Sequence, residues 1–104
     1  MKFRTIFLSK APDAEPEKHR ALVESEKMKL WVQVVKSTDQ ACEIVRQLVA
    51  EEGLHSVLLC PGFSHVEVAR MQEVAGPSVS VSVARGDGPG SRVIAEVFRQ
   101  VGWH

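Results

Sequence analysis

Residues 28–60, MKLWVQVVKSTDQACEIVRQLVAEEGLHSVLLC, decide the fold, because the hydrophobic period changes twice within them. Met28 to Lys36 is rich in β-branched and aromatic residues and reads as a strand. Ala41, Ile44, Val45, Leu48 and Val49 then recur at helical spacing and make one apolar stripe. Ser37 or Thr38 caps the start of that helix, and Gly53 supplies a left-handed stop. Ser56 to Cys60 is a second strand, whose unbroken Val57-Leu58-Leu59 run suits burial on both faces. Strand, helix, strand is the unit of a parallel sheet with right-handed crossovers.

The same alternation extends outward. Phe3 to Leu8 is a short β-prone run and reads as the first strand. Ser9 to Glu17 carries Pro12 and Pro16 and reads as a loop, with Pro16 at the first turn of a helix predicted to about Glu24. Ala21, Leu22 and Val23 are that helix's apolar cluster. After Pro61-Gly62-Phe63 turns the chain, Ser64 and Glu67 form a capping box for a helix that ends at Gly76. Val79, Val81 and Val83 alternate with serines in a strand suited to a sheet edge. Ser91 caps a last helix with its own stripe, Val93, Ile94, Val97, Phe98 and Val101.

These elements predict a single α/β domain over residues 1–104, β-α-β-α-β-α-β-α in order. The expected architecture is a four-stranded parallel sheet of order 2-1-3-4, flavodoxin- or Rossmann-like, with helices on both faces. Two exposed edges point to a homodimer through an edge strand or a helix face. The outer strand that carries Trp31 is one candidate, and Trp103 is expected to cover a core edge.

Composition excludes several partners. The 104 residues hold 13 Lys+Arg against 13 Asp+Glu, so the broad positive surface that nucleic acid or an anionic membrane requires is missing. Cys42 and Cys60 have no C-x-x-C spacing and are too few for a disulfide scaffold. The N-terminal run is broken by charge and has no cleavage site, and no stretch approaches a membrane span. The expectation is a cytoplasmic protein with free thiols and no membrane or nucleic-acid partner.

In open parallel sheets ligands sit beyond the carboxyl ends of the strands. The loops that meet there bring Lys10, Lys36 and Arg85 together around a mouth, with Asp39 and Asp87 as opposing charges. At Cys60-Pro61-Gly62-Phe63-Ser64-His65, Gly62 permits close backbone approach and the amides after it point out of a helix N-terminus toward an anion. Cys60 with His65 suggests a thiolate nucleophile and its base, while the plainer reading is a buried strand-end cysteine beside a solvated histidine. Gly86, Gly88, Gly90 and Ser91 lie on a strand-to-helix loop, the context of a phosphate cradle. No Gly-Lys-Ser/Thr follows, and Pro89 removes one amide, so a plain loop with a serine cap is the simpler account. His55 falls at the opposite end of its strand and His19 and His104 have no ligand spacing, so no metal site and no cofactor are expected.

The stretches Phe3 to Leu8, Ala14-Glu15-Pro16-Glu17-Lys18-His19-Arg20 and Leu59 to His65 together resemble a bacterial family of roughly hundred-residue domains of unknown function. The resemblance covers nearly the whole chain. Its recurring feature is a cysteine-glycine-phenylalanine turn into the third helix, matched by Cys60, Gly62, Phe63 and His65, with Pro61 in place of glycine. It implies the α/β fold and carries no activity with it.

The first expectation is therefore a non-catalytic binding module taking a small anionic metabolite at Lys10, Gly62, Phe63, Ser64, Arg85 and the 86–91 loop. The second is an enzyme using Cys60 and His65, for which no carboxylate is evident to orient the histidine. The third is an assembly protein acting through an edge strand.

Overall fold

The computed structural model describes residues 1–88 and 90–103; the expectations placed on Pro89 and His104 lie outside the described residues. Four strands run parallel: β1 (Phe3–Lys10), β3 (Met28–Val35), β4 (Ser56–Leu59) and β5 (Ser80–Val83). They stand in the expected order, β3-β1-β4-β5. A fifth strand, β2 (Arg20–Glu24), lies outside β3 and antiparallel to it.

This strand corrects the helix expected from Pro16 to Glu24. Ala21, Leu22 and Val23 pair with Val32, Trp31 and Leu30, so the cluster read as one helical face alternates across a hairpin instead. Ser25 closes the turn, its amide donating to the Met28 carbonyl (2.9 Å) and its hydroxyl accepting from the Met28 amide (3.1 Å). A five-residue segment has little intrinsic helicity, and the open edge of β3 offered a full ladder of backbone partners. Trp31 therefore lies on an internal strand and not on an edge, partly buried against the core.

Helix α1 (Thr38–Glu52) begins on Ser37, whose side chain accepts from the Gln40 amide, and stops at Gly53 with φ 68°. Helix α2 (His65–Ala75) carries the complete Ser64–Glu67 capping box and ends at Gly76. Both helices pack on one face of the sheet. Ile6, Leu8, Val35, Val57 and Leu59 meet Ala41, Cys42, Val45, Met71 and Ala75 there in a single buried core.

Among the described residues no helix packs on the opposite face, which corrects the expected three layers to two. Because side chains alternate along a strand, this face is read directly from the pairing register. Ala21, Val32, Phe7, Leu58 and Ser82 form one cross-strand row, and Val23, Leu30, Thr5, Ser56 and Ser80 form the next. Helix α3 (Ser91–Gln100) buries none of its residues. Its cap is Gly90, which makes no side-chain hydrogen bond, so Ser91 falls inside the first turn and is not the cap. The radius of gyration is 14.2 Å and the long axis 42 Å, whereas a tightly packed chain of this length has about 13 Å.

Candidate functional site

The carboxyl ends of β1, β3, β4 and β5 open into a pocket of about 840 Å³. Its floor comes from Ser9, Lys10, Ala11, Lys36 and Cys60, the residues at or just past the ends of β1, β3 and β4. Pro61, Gly62, Arg85 and Gly86 form one wall, and Ser91, Ile94, Phe98 and Trp103 form another. Of the residues singled out from sequence, Lys10, Cys60, Gly62, Arg85, Gly86 and Ser91 meet here. Phe63, Ser64, His65, Gly88 and Gly90 do not line it.

The reasons differ by residue. Phe63 is buried in the core, and the Lys10 ammonium lies 4.5 Å above its ring. Ser64 is spent on the cap: its amide donates to Glu67 Oε1 (2.8 Å), and its hydroxyl accepts from the Glu67 amide (3.2 Å). The positive end of α2, expected to receive an outside anion, is thus served by the helix's own first-turn carboxylate. His65 is exposed, and among the described residues no hydrogen bond joins it to Cys60. The Cys60 thiol instead accepts from the Lys10 backbone amide at 3.5 Å.

Glu67 is the residue that sequence reasoning undervalued. Beyond the cap, its Oε2 takes the Lys10 ammonium (2.9 Å) and the hydroxyl of buried Thr38. The Ser64 amide first, then Thr38 and Lys10, hold its carboxyl down at about 2. One carboxylate therefore fastens the ends of β1 and the starts of α1 and α2 together. The capping-box spacing was legible; that a strand-end lysine and a helix-start threonine also converge on it was not, because both are long-range contacts.

Charge at the mouth is largely balanced inside the molecule. Lys10 is paired with Glu67, and Arg85 makes a two-pronged bond to Asp87 at 3.0 Å on each arm. Asp39 is held by Arg70 at 2.6 Å. Lys36 is exposed, and its ammonium has no carboxylate partner among the described residues. Two loops touch closely at the rim: a β-carbon on Gly86 would stand 2.6 Å from Pro61 Cβ. A β-carbon on Gly62 meets only ordinary contacts, with Cys60 Sγ at 3.4 Å, so the turn does not demand glycine on steric grounds.

Trp103 is not a core cover. It stacks on Phe98 with ring centroids 4.7 Å apart and completes the apolar wall of the pocket. His55 sits at the amino end of the sheet as expected, its Nδ1 accepting the Arg4 amide at 3.0 Å. No group of three or more His, Cys, Asp or Glu among the described residues is placed to hold a metal ion. No helix among them is long and apolar enough to cross a membrane.

Fold and site together define a small mixed α/β protein with a largely apolar pocket at the carboxyl ends of its strands. The chain matches the family of unknown function DUF6506 over residues 3–99 and belongs to that family. No curated protein and no solved structure matches it.

Proposed function

We propose that this protein is a non-catalytic binding module whose strand-end pocket takes a small anionic metabolite with an apolar body. The observation that carries the reading is the joining of a cation and an apolar cluster in one cavity. Lys36, with no carboxylate partner among the described residues, lines the same pocket as Ile94, Phe98 and Trp103. Pockets of this size that join an apolar lining to a few polar groups are the usual form of small-molecule sites. Gly62, Arg85, Gly86 and Ser91 complete the rim, and Lys10 positions the floor through Glu67. The setting is cytoplasmic, with both thiols free, and the working unit is a homodimer.

Amide-resolved NMR titration tests it, using butyrate, benzoate and inorganic phosphate as probes. Benzoate is expected to shift the amides of Lys36, Gly62, Gly86 and Phe98, and Lys36→Ala to weaken that binding about tenfold, as for one charge-assisted hydrogen bond. Absence of any shift at millimolar concentrations of all three probes overturns the reading.

One observation favours a second reading, in which Cys60 is a nucleophile: it lines the pocket floor and its sulfur accepts the Lys10 amide. With His65 outside the pocket lining, a base would have to come from the ligand. Native-state alkylation of Cys60 by iodoacetamide that is no faster than for an unstructured cysteine peptide would remove this alternative.

A further inference from the structure

The face of the sheet opposite α1 and α2 has an unusual composition. Ten cross-strand positions on it, from Ala21 and Val23 on β2 to Ser80 and Ser82 on β5, are apolar, serine or threonine, and none is charged. The chain has 26 charged Lys, Arg, Asp and Glu residues among 104, about one in four. Strand charges such as Arg4, Arg20, Glu24 and Lys29 all fall on the helix side of the sheet. A sheet face that remains in water normally alternates toward polar and charged residues. None of Phe7, Leu30, Val32, Val34 or Leu58 packs against the core, and Leu58 and Val23 are exposed.

A second unpartnered surface lies on α3. Its apolar arc has two halves. Ile94 and Phe98 turn toward the pocket, whereas Val93, Val97 and Val101 point away from it and are 60%, 45% and 65% exposed. This outer half carries no charge of its own: Arg92 and Arg99 lie on the far side of the helix, while Glu96 flanks the arc and Gln100 borders it beside Val93. The chain therefore carries two uncharged apolar surfaces that do not meet within it, because α3 already stands over its own pocket.

We propose that a second copy of this chain covers the open sheet face, laying Val93, Val97 and Val101 of its α3 across Val32, Phe7 and Leu58. The dimensions match. Ten helical residues span about 15 Å at 1.5 Å each, which crosses about three strands at roughly 4.8 Å spacing. Those three are β3, β1 and β4, the strands whose central row is apolar, while β5 contributes serine. A single contact of this kind is smaller than a stable interface. Twofold symmetry makes the contact twice, and the two contacts together must supply the roughly 1,200–2,000 Å² that specific dimers need. Reciprocal docking also anchors α3 from outside while its inner half walls the pocket, so dimer and ligand site share one helix. This deepens the homodimer reading above by naming its surface, and it rests on that reading.

Light scattering on a sizing column, from 5 to 200 μM, reads the mass against the 11.5 kDa of one chain. The full chain is expected to run as a dimer. Val97→Asp, a substitution at an exposed position, is expected to raise the dimer dissociation constant at least about a hundredfold, since each dimer would bury two unpaired charges. Val32→Asp acts on the other half of the same contact. Mixed in equal amounts, the two variants are expected to form a weak heterodimer, because one of the two docking contacts is then intact. Circular dichroism checks that each variant remains folded; if Val32→Asp unfolds, the Val32→Cys/Val97→Cys chain, expected to form an intermolecular disulfide dimer on oxidation, replaces it. A monomer for the unmodified chain at 200 μM overturns both the homodimer and this interface. A dimer untouched by Val97→Asp overturns the interface and leaves the homodimer standing.

Discussion

Glu67 does at residue scale what the loops around it do not do for themselves: it holds three chain segments at one point. Its two oxygens answer the Ser64 amide, the Thr38 hydroxyl and the Lys10 ammonium. Glu67→Gln keeps an acceptor for Ser64 but leaves buried Thr38 and Lys10 facing an amide. That loss is expected to cost about 1–3 kcal/mol in urea unfolding at pH 7. The pH dependence has a definite sign. The folded carboxyl titrates at about 2 against 4.5 unperturbed, so its stabilisation is complete above about pH 4.5 and disappears as pH falls toward 2. Wild type minus Glu67→Gln stability, measured over that window, is expected to shrink toward zero; a constant difference would contradict the assignment. The two thiols separate just as clearly. Cys42 is buried, which pushes its thiol up, whereas Cys60 is partly exposed on the pocket floor. Iodoacetamide with mass-spectrometric mapping is expected to label Cys60 at least tenfold faster than Cys42 in the native state.

Among the elements, the β5–α3 connection carries the sharpest contrast. Gly86 packs its backbone against Pro61, and Gly88 faces open space. Gly86→Ala is expected to destabilise the chain by about 1–3 kcal/mol through that clash, while Gly88→Ala should change stability by less than about 0.5 kcal/mol. Thermal unfolding of the two variants side by side checks both. Helix boundaries were legible because their signals are local: Ser37 and Gly53 bound α1, and Ser64 with Glu67 opens α2. Strand β2 was not legible. Ala21-Leu22-Val23 satisfies either a helical face or a hairpin, and what decided between them was the vacant ladder of β3, a partner that lies on another segment. The Gly90 cap displaced Ser91 for a related reason: the amides of Val93 and Ile94 both reach the Gly90 carbonyl, so the helix begins one residue earlier.

At the scale of the whole molecule, the exposed α3 and the uncharged sheet face are the two surfaces that the proposed dimer would use. If a second copy covers α3 as proposed, hydrogen exchange there is expected to slow by up to about sixfold between 5 and 200 μM, as the monomer fraction falls. Exchange in α1, whose Ala41, Cys42 and Val45 are buried, should not change with concentration. Equal behaviour of the two helices would show that α3 is protected within its own chain. The sequence by itself determined the four parallel strands and their order, the caps of α1 and α2, and the end of the sheet where a pocket would open. All of these rest on period and spacing, which neighbouring residues impose. Only the tertiary structure decided that the sheet has a fifth strand, that one face lies bare, that Glu67 neutralises Lys10, and that α3 walls the pocket instead of covering the sheet. Each of those depends on which distant surfaces meet, and hydrophobic patterning marks a face for burial without naming the surface that buries it.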